Sequence, residues 1–257
     1  MDKAKLSIGF FDSGVGGLSV LRETIKLMPN ENYIYFGDSK NAPYGVKTVE
    51  QVQELSFKAI DFLRSKGVKA IVVACNTATS AAIEQLRESY RDIPIIGIEP
   101  ALKPAVELHR QGSIVIMATP MTLVEKKFNA LQKKFKEEAD ICPLPCDGLV
   151  ELIESGNIDG ELIEAYLRKR FKEVEGDKIA AVVLGCTHYP FVKDTIIKIL
   201  GESVPVIDGS EGTSRHLRNI LEEEGIVNSN SVKGTVDIYN SLDGQDMIDL
   251  SFRLLNT

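Results

Sequence analysis

Two stretches of the chain, Ala70-Ile71-Val72-Val73-Ala74 and Ala181-Val182-Val183-Leu184, are apolar without interruption and too short to be helices on their own. Each is followed by a polar turn and then a helix-like stretch. A strand that is apolar at every position is buried on both faces, and such strands belong to parallel sheets covered by helices. Similar short runs recur along the chain. They predict strands over residues 6–11, 33–36, 70–74, 93–97, 113–118, 139–143, 180–184, 204–207 and 235–239. Amphipathic stretches between them predict helices over residues 17–28, 48–66, 77–90, 102–110, 122–135, 149–154, 159–172, 191–200, 212–224 and 244–255. Asp159 is placed to cap a helix, Pro190 to open one, and Gly67 and Gly225 to close theirs. The fold class is α/β with largely parallel strands.

A weak internal repeat suggests two similar halves. Ser7-Ile8-Gly9-Phe10-Phe11-Asp12-Ser13 resembles Ser113-Ile114-Val115-Ile116-Met117-Ala118-Thr119, and the two apolar runs above are a comparable distance apart. A tandem duplication of this kind leaves a pseudo-twofold axis, with matching strand ends facing one cleft. Ligands of open α/β sheets bind at the C-terminal ends of the strands.

Composition excludes some partners. With 30 Lys and Arg against 37 Asp and Glu, the net charge is −7, the wrong sign for a nucleic-acid surface. Lys133-Lys134 and Arg168-Lys169-Arg170 lie beside glutamates in helix-like stretches and read as solvated helix faces. No apolar stretch approaches the ~18 residues of a membrane span, and the first residues lack the apolar segment of a signal peptide. A cytoplasmic location is expected. The four cysteines do not make a disulfide framework. Cys142 and Cys146 read as small apolar residues in a Pro-rich turn, and no ligand set for a metal is apparent.

The chemistry lies in the turns after strands. Asp12-Ser13-Gly14-Val15-Gly16-Gly17 is a Gly-rich strand-to-helix turn. Its N–H groups suit a small carboxylate and Asp12 an ammonium group; a plain tight turn capped by Asp12 and Ser13 reads equally well. The loop Gly37-Asp38-Ser39-Lys40-Asn41-Ala42-Pro43-Tyr44-Gly45 is, taken alone, ordinary turn chemistry. Cys75 precedes Asn76-Thr77 at the start of a predicted helix, where the helix dipole favours thiolate. Burial as a small apolar residue is the competing reading, and the polar Asn-Thr argues against it. Cys186 precedes Thr187-His188, so an imidazole lies within reach of the thiol and can assist its proton transfer. His109 and His216 fall in amphipathic helices and read as surface or packing residues. Glu151 and Glu154 lie near a helix end, where a lone glutamate is normally solvated.

Taken together, Asp12-Ser13-Gly14-Val15-Gly16-Gly17-Leu18-Ser19-Val20, Pro43-Tyr44-Gly45, Ala74-Cys75-Asn76-Thr77-Ala78 and Leu184-Gly185-Cys186-Thr187-His188-Tyr189-Pro190 resemble the glutamate racemases, in the family's order and spacing. The resemblance implies a cofactor-independent interconversion of L- and D-glutamate that supplies D-glutamate to bacterial peptidoglycan. It implies two α/β domains with the active site in the cleft between them. The division expected is residues 1–97 with 208–257, carrying Cys75, and residues 98–207, carrying Cys186. By position, Cys75 and Cys186 correspond to the acid/base thiols, the first acting on D-glutamate and the second on L-glutamate. Asp12, Ser13, Tyr44, Gly45, Asn76, Thr77, Thr187 and His188 correspond to substrate-binding positions. Asp12, Asp38, Glu154 and His188 correspond to polar residues that assist catalysis. Some family members are activated by a cell-wall precursor and others form homodimers. The chain departs from the family at Glu151, where proline is common. It departs again in the series Thr122, Glu125 and Phe128, where Thr, Ser and Tyr are common.

Overall fold

Every apolar run expected as a strand is one in the computed structural model, which describes residues 2–98, 101–124, 126–174 and 178–257. The described residues fall into two compact units, Met1–Glu99 with Ser210–Thr257, and Pro100–Gly209. The first unit starts with β1 (Ile8–Asp12), α1 (Leu18–Leu27), β2 (Tyr33–Gly37), α2 (Val49–Ser65), β3 (Ala70–Val73), α3 (Asn76–Ser89) and β4 (Ile95–Gly97). The second holds α4 (Leu102–Val106), β5 (Ser113–Ala118), α5 (Pro120–Val124), α6 (Lys126–Phe135), β6 (Asp140–Pro145), α7 (Leu149–Glu154), α8 (Gly160–Phe171), β7 (Ile179–Leu184), α9 (Lys193–Leu200) and β8 (Val206–Asp208). The chain then returns to the first unit as α10 (Ser210–Glu223), β9 (Val236–Asn240) and α11 (Gln245–Leu255).

The first unit has a five-stranded sheet in the order β4-β3-β1-β2-β9, and the second a four-stranded sheet in the order β6-β5-β7-β8. All pairings are parallel. Read from its other edge, the second sheet is β8-β7-β5-β6, which matches β4-β3-β1-β2 strand for strand. The repeat in the sequence is therefore a repeat in topology, with β1 equivalent to β5 and β3 to β7. Ile71, Val72 and Val73 in β3 and Val182 and Val183 in β7 are fully buried, each such side chain contributing about 1.5–3 kcal/mol. These central strands put the two cysteine turns on rigid supports.

The first unit is discontinuous in sequence, and a buried ion pair ties its pieces. Lys69, just before β3, donates through Nζ to Glu31 Oε2 (2.5 Å), Ala4 O (2.6 Å) and Ile226 O (2.8 Å). Glu31 Oε1 accepts from the Asn228 amide (2.8 Å). The N-terminal segment, β2, β3 and the returning chain thus meet at one charge, at the end of the sheet opposite Cys75.

Several local expectations change. The helix expected over residues 102–110 ends at Val106, and His109 lies beyond it, exposed and with φ 48. The helix expected over residues 122–135 is two, α5 and α6. α5 starts at Pro120 because the Thr119 hydroxyl caps it, accepting from the Thr122 amide (3.4 Å), and proline suits a first helical position. Glu125 lies outside the described residues. Phe128 is buried in the core beside β5 and β7, and Glu151 stands in the first turn of α7, where its charge suits the helix dipole. Pro190 opens a 3-10 turn, Tyr189–Val192, ahead of α9. Asp159 occupies the N-cap of α8 but makes no capping bond, and the chain enters through Gly160 at φ 82. Gly67 and Gly225 close helices as expected, both with positive φ. Cys142 belongs to β6 and Cys146 follows it directly, so this segment is a strand and not a turn. Its prolines are tolerated because β6 is an edge strand. Among the described residues no helix is long and apolar enough to cross a membrane.

Candidate active site

In the first unit the candidate residues gather at the C-terminal ends of β3, β1 and β2. Cys75 is the N-cap of α3, and its Sγ accepts from the Ala78 amide (3.4 Å). The thiol also donates to Ser13 Oγ (3.5 Å). The Ala78 amide and the dipole of a 14-residue helix favour negative charge on sulfur, whereas the bond to Ser13 holds the S–H in place. Cys75 is only 5% exposed, and Asn76 and Thr77 are buried with it. The polar sequence after the cysteine therefore does not mark an exposed turn; it marks a buried polar helix start. Asn76 Oδ1 has no hydrogen-bond partner there, although buried polar atoms are nearly always paired.

Asp12, fully buried, accepts from the Gly14 amide (2.9 Å), so one N–H of the Gly-rich turn is already used. Gly17 is required by close approach: a Cβ would lie 2.7 Å from Asp12 Cβ and 2.9 Å from Ala74 Cβ. Tyr35 donates to Gly14 O (2.7 Å) and fixes the turn from below. The Asp38 amide donates to Asp12 O (3.0 Å). The Asp38 carboxylate accepts from the Tyr44 hydroxyl (2.6 Å) and from Asn41 Nδ2 (3.0 Å). Burial, then the bond to Asp38 and the negative charges of Asp38, Cys75 and Asp12, hold the Tyr44 phenol protonated well above its ordinary range. Gly45 follows in the 3-10 turn Tyr44–Val46. A loop that reads as plain turn chemistry thus carries a buried Asp–Tyr pair.

In the second unit the residues gather at the ends of β7, β5 and β6. The Gly185 amide donates to Met117 O (2.7 Å), which seats the turn on β5. Cys186 is 8% exposed. Its Sγ lies 3.7 Å from His188 Nδ1, and His188 Nε2 lies 2.6 Å from Glu154 Oε1. Glu154 ends α7, and its side chain is 15% exposed, so it is not the solvated glutamate expected at a helix end. Burial alone would lower the His188 pKa, but the bonds to Cys186 and Glu154 outweigh it and raise it well above its ordinary value. Glu154, His188 and Cys186 therefore form a line of contacts from carboxylate to imidazole to sulfur. Thr187 is buried beside them. At the tip of β5, Thr119 and Thr122 share a hydroxyl–hydroxyl bond (3.0 Å). Thr119 occupies the position of Ser13 in the repeat, a signal the alignment of the two halves carried.

The burial of Cys146 pushes its thiol up to about 12, which makes it an inert packing residue. Among the described residues no group of three or more His, Cys, Asp or Glu could hold a metal ion. What the arrangement offers is two thiols at equivalent strand ends, each with its own hydrogen-bonding neighbours.

The family model for Asp/Glu/Hydantoin racemase matches residues 16–215. The chain is 60% identical to the glutamate racemase of Clostridium novyi (strain NT), covering 99% of each. It is 58% identical to that of Clostridium botulinum (strain Alaska E43 / Type E3), covering 100% of each. Its structure is similar to that of the glutamate racemase of Francisella tularensis in complex with D-glutamate. That match has a TM-score of 0.84 and 30% identity over 99% of this chain and 95% of the other. With these similarities added to two matching α/β units that each present a thiol at an equivalent strand end, the chain belongs to the Asp/Glu/hydantoin racemase family, among its glutamate racemases.

Proposed function

We propose that the chain interconverts L- and D-glutamate without a cofactor, with Cys75 and Cys186 serving opposite faces of the α-carbon. The observation that supports this reading is the equivalence of the two thiols at the ends of β3 and β7, each buried and each in contact with a hydrogen-bonding group, the Ala78 amide for Cys75 and the His188 ring for Cys186. One thiolate takes the α-proton to form an S–H bond, and the electron pair of the broken C–H bond moves into the carboxylate as enolate character. The opposite thiol returns a proton to the other face. The two sulfurs finish with reversed protonation, so the reaction runs in both directions. Cys75 acts on D-glutamate and Cys186 on L-glutamate. The candidate residues include no lysine for a Schiff base.

The remaining residues divide by charge. Amides near Ser13, Asn76 and Thr187 hold the α-carboxylate as negative charge develops. Asp12 takes the ammonium group, and Asn76 Oδ1 is a further acceptor for it. Tyr44 and Gly45 complete the binding surface. Asp38 with Tyr44, and Glu154 with His188, support the Cys75 and Cys186 transfers. The product serves peptidoglycan synthesis, and the proposed location is the cytoplasm. Incubation of L-glutamate with the enzyme in heavy water should yield D-glutamate carrying deuterium at the α-carbon. Retained protium with no optical change would sink the reading.

A further inference from the structure

Among the described residues β9 has no counterpart in the second unit. It pairs with β2 so that Asn240 lies opposite Gly37, and the turn that follows grips the chain on both sides of Asp38. The Ser241 amide donates to Gly37 O (2.9 Å), and Ser241 Oγ accepts from the Lys40 amide (3.0 Å). Asn240 Nδ2 donates to Ser39 Oγ (2.9 Å), while its Oδ1 accepts from the Leu242 amide (2.9 Å), which fixes the orientation of the side chain. Gly37 is wedged between the two sides: a Cβ there would lie 2.5 Å from Gly14 O and 3.1 Å from Asn240 Nδ2. Asp38 itself is tied to β1 by its amide. Its carboxylate then bonds to Tyr44.

We propose that Asn240 and Ser241 are positioning residues for the Cys75 half of the reaction, holding Asp38 and through it Tyr44 by way of Gly37, Ser39 and Lys40. The proposal rests on the two-thiol reading above. It gives the returning segment of the chain a role in one proton transfer and not in the other. The physical reason is leverage: Asp38 sits on an irregular loop, and a carboxylate misplaced by a fraction of an ångström loses much of its effect.

The test uses Ser241→Ala, which removes the acceptor for Lys40, Asn240→Ala, and Ser241→Thr, which restores a hydroxyl. Each alanine variant should lower kcat about two- to tenfold, the range expected for one lost hydrogen bond, with a smaller change in KM. The primary isotope effect with α-deuterated substrate separates the halves. Slower transfer at Cys75 makes bond breaking more limiting from D-glutamate, so that isotope effect rises. From L-glutamate the slow step becomes proton return at Cys75, so that isotope effect falls. Ser241→Thr should return both to the wild-type values. Equal shifts for the two enantiomers, or alanine variants that fail to fold, would mean that the residues only hold the sheet edge, and would overturn the proposal. In those outcomes the wild type still racemises glutamate and the two-thiol reading stands. A wild type that leaves both enantiomers unchanged would defeat the two-thiol reading and this inference with it.

Discussion

Cys75 and Cys186 end equivalent strands in two units of the same topology, yet different physics surrounds them. Cys75 caps α3 directly, so its sulfur meets the first-turn amide of Ala78 and the hydroxyl of Ser13. Cys186 leads into the 3-10 turn Tyr189–Val192, and α9 starts only at Lys193. No long helix begins at that sulfur. In its place stands His188, backed by Glu154. A helix terminus supplies partial charge from fixed amides, whereas an imidazolium supplies a full charge that depends on pH. The duplicated turn thus keeps the thiol while the means of stabilising it changes. The two carboxylates proposed to assist the thiols are also equivalent in topology: Asp38 follows β2 and Glu154 lies in the helix after β6, and these strands correspond in the two sheets.

The strongest way to break this comparison is to remove either thiol. Cys75→Ser and Cys186→Ser should each cost on the order of 10²–10⁴-fold in racemisation, the range for a lost acid/base group, followed by polarimetry or chiral chromatography. A variant that kept near-normal activity would show that one thiol suffices. A smaller effect is expected from Glu154→Gln, which removes the carboxylate behind His188. Turnover should fall about ten- to a hundredfold, within the reach of a positioned acid/base assistant. The pH dependence has a definite sign. The folded His188 pKa is raised, so its contribution to stability is fully present below the ordinary imidazole value of ~6.5. That contribution is lost as pH rises through the folded value. In Glu154→Gln this loss should begin at lower pH, read from the His188 ring signals by NMR and from melting temperature against pH. An unchanged titration would break the proposed line of charge. The smallest effect is expected at Ser13→Ala, about two- to tenfold in kcat for one hydrogen bond. Because Ser13 Oγ bonds the Cys75 sulfur, the limb of the pH profile that reports Cys75 should move with the substitution while the rest stays put; a profile with no movement would show that the hydroxyl does not act on the thiol.

Much of the fold was legible because apolar β-branched runs mark central parallel strands well. The sequence locates all nine strands found among the described residues, although the strand expected over residues 139–143 stops short of Leu144 and Pro145, because the Pro-rich segment reads as a turn. Only the sheet order reveals that β6 is an edge, where proline costs little. The pairing of β9 with β2 was hidden for a related reason: the strand is half-exposed, and its partner lies far back in the chain. At the site the thiols and their turns were legible from local pattern. The proposed assisting residues Asp38 and Glu154 are named only through the family resemblance. Nothing local joins Glu154 to His188 or distinguishes Asp38 from any turn aspartate; the Glu154–His188 and Asp38–Tyr44 contacts form only when separate segments are brought together by the fold. The burial of Cys75 was misread because Asn76-Thr77 looked solvated, and the sequence cannot show that a polar helix start is enclosed.

The central claim, that each thiol serves one face and one enantiomer, is tested most directly by α-hydrogen exchange in heavy water with the two serine variants. Cys186→Ser retains Cys75, so it should place deuterium into D-glutamate, without racemisation, and leave L-glutamate protonated. Cys75→Ser should do the reverse. Exchange into both enantiomers by either variant, or identical behaviour of the two, would contradict the account.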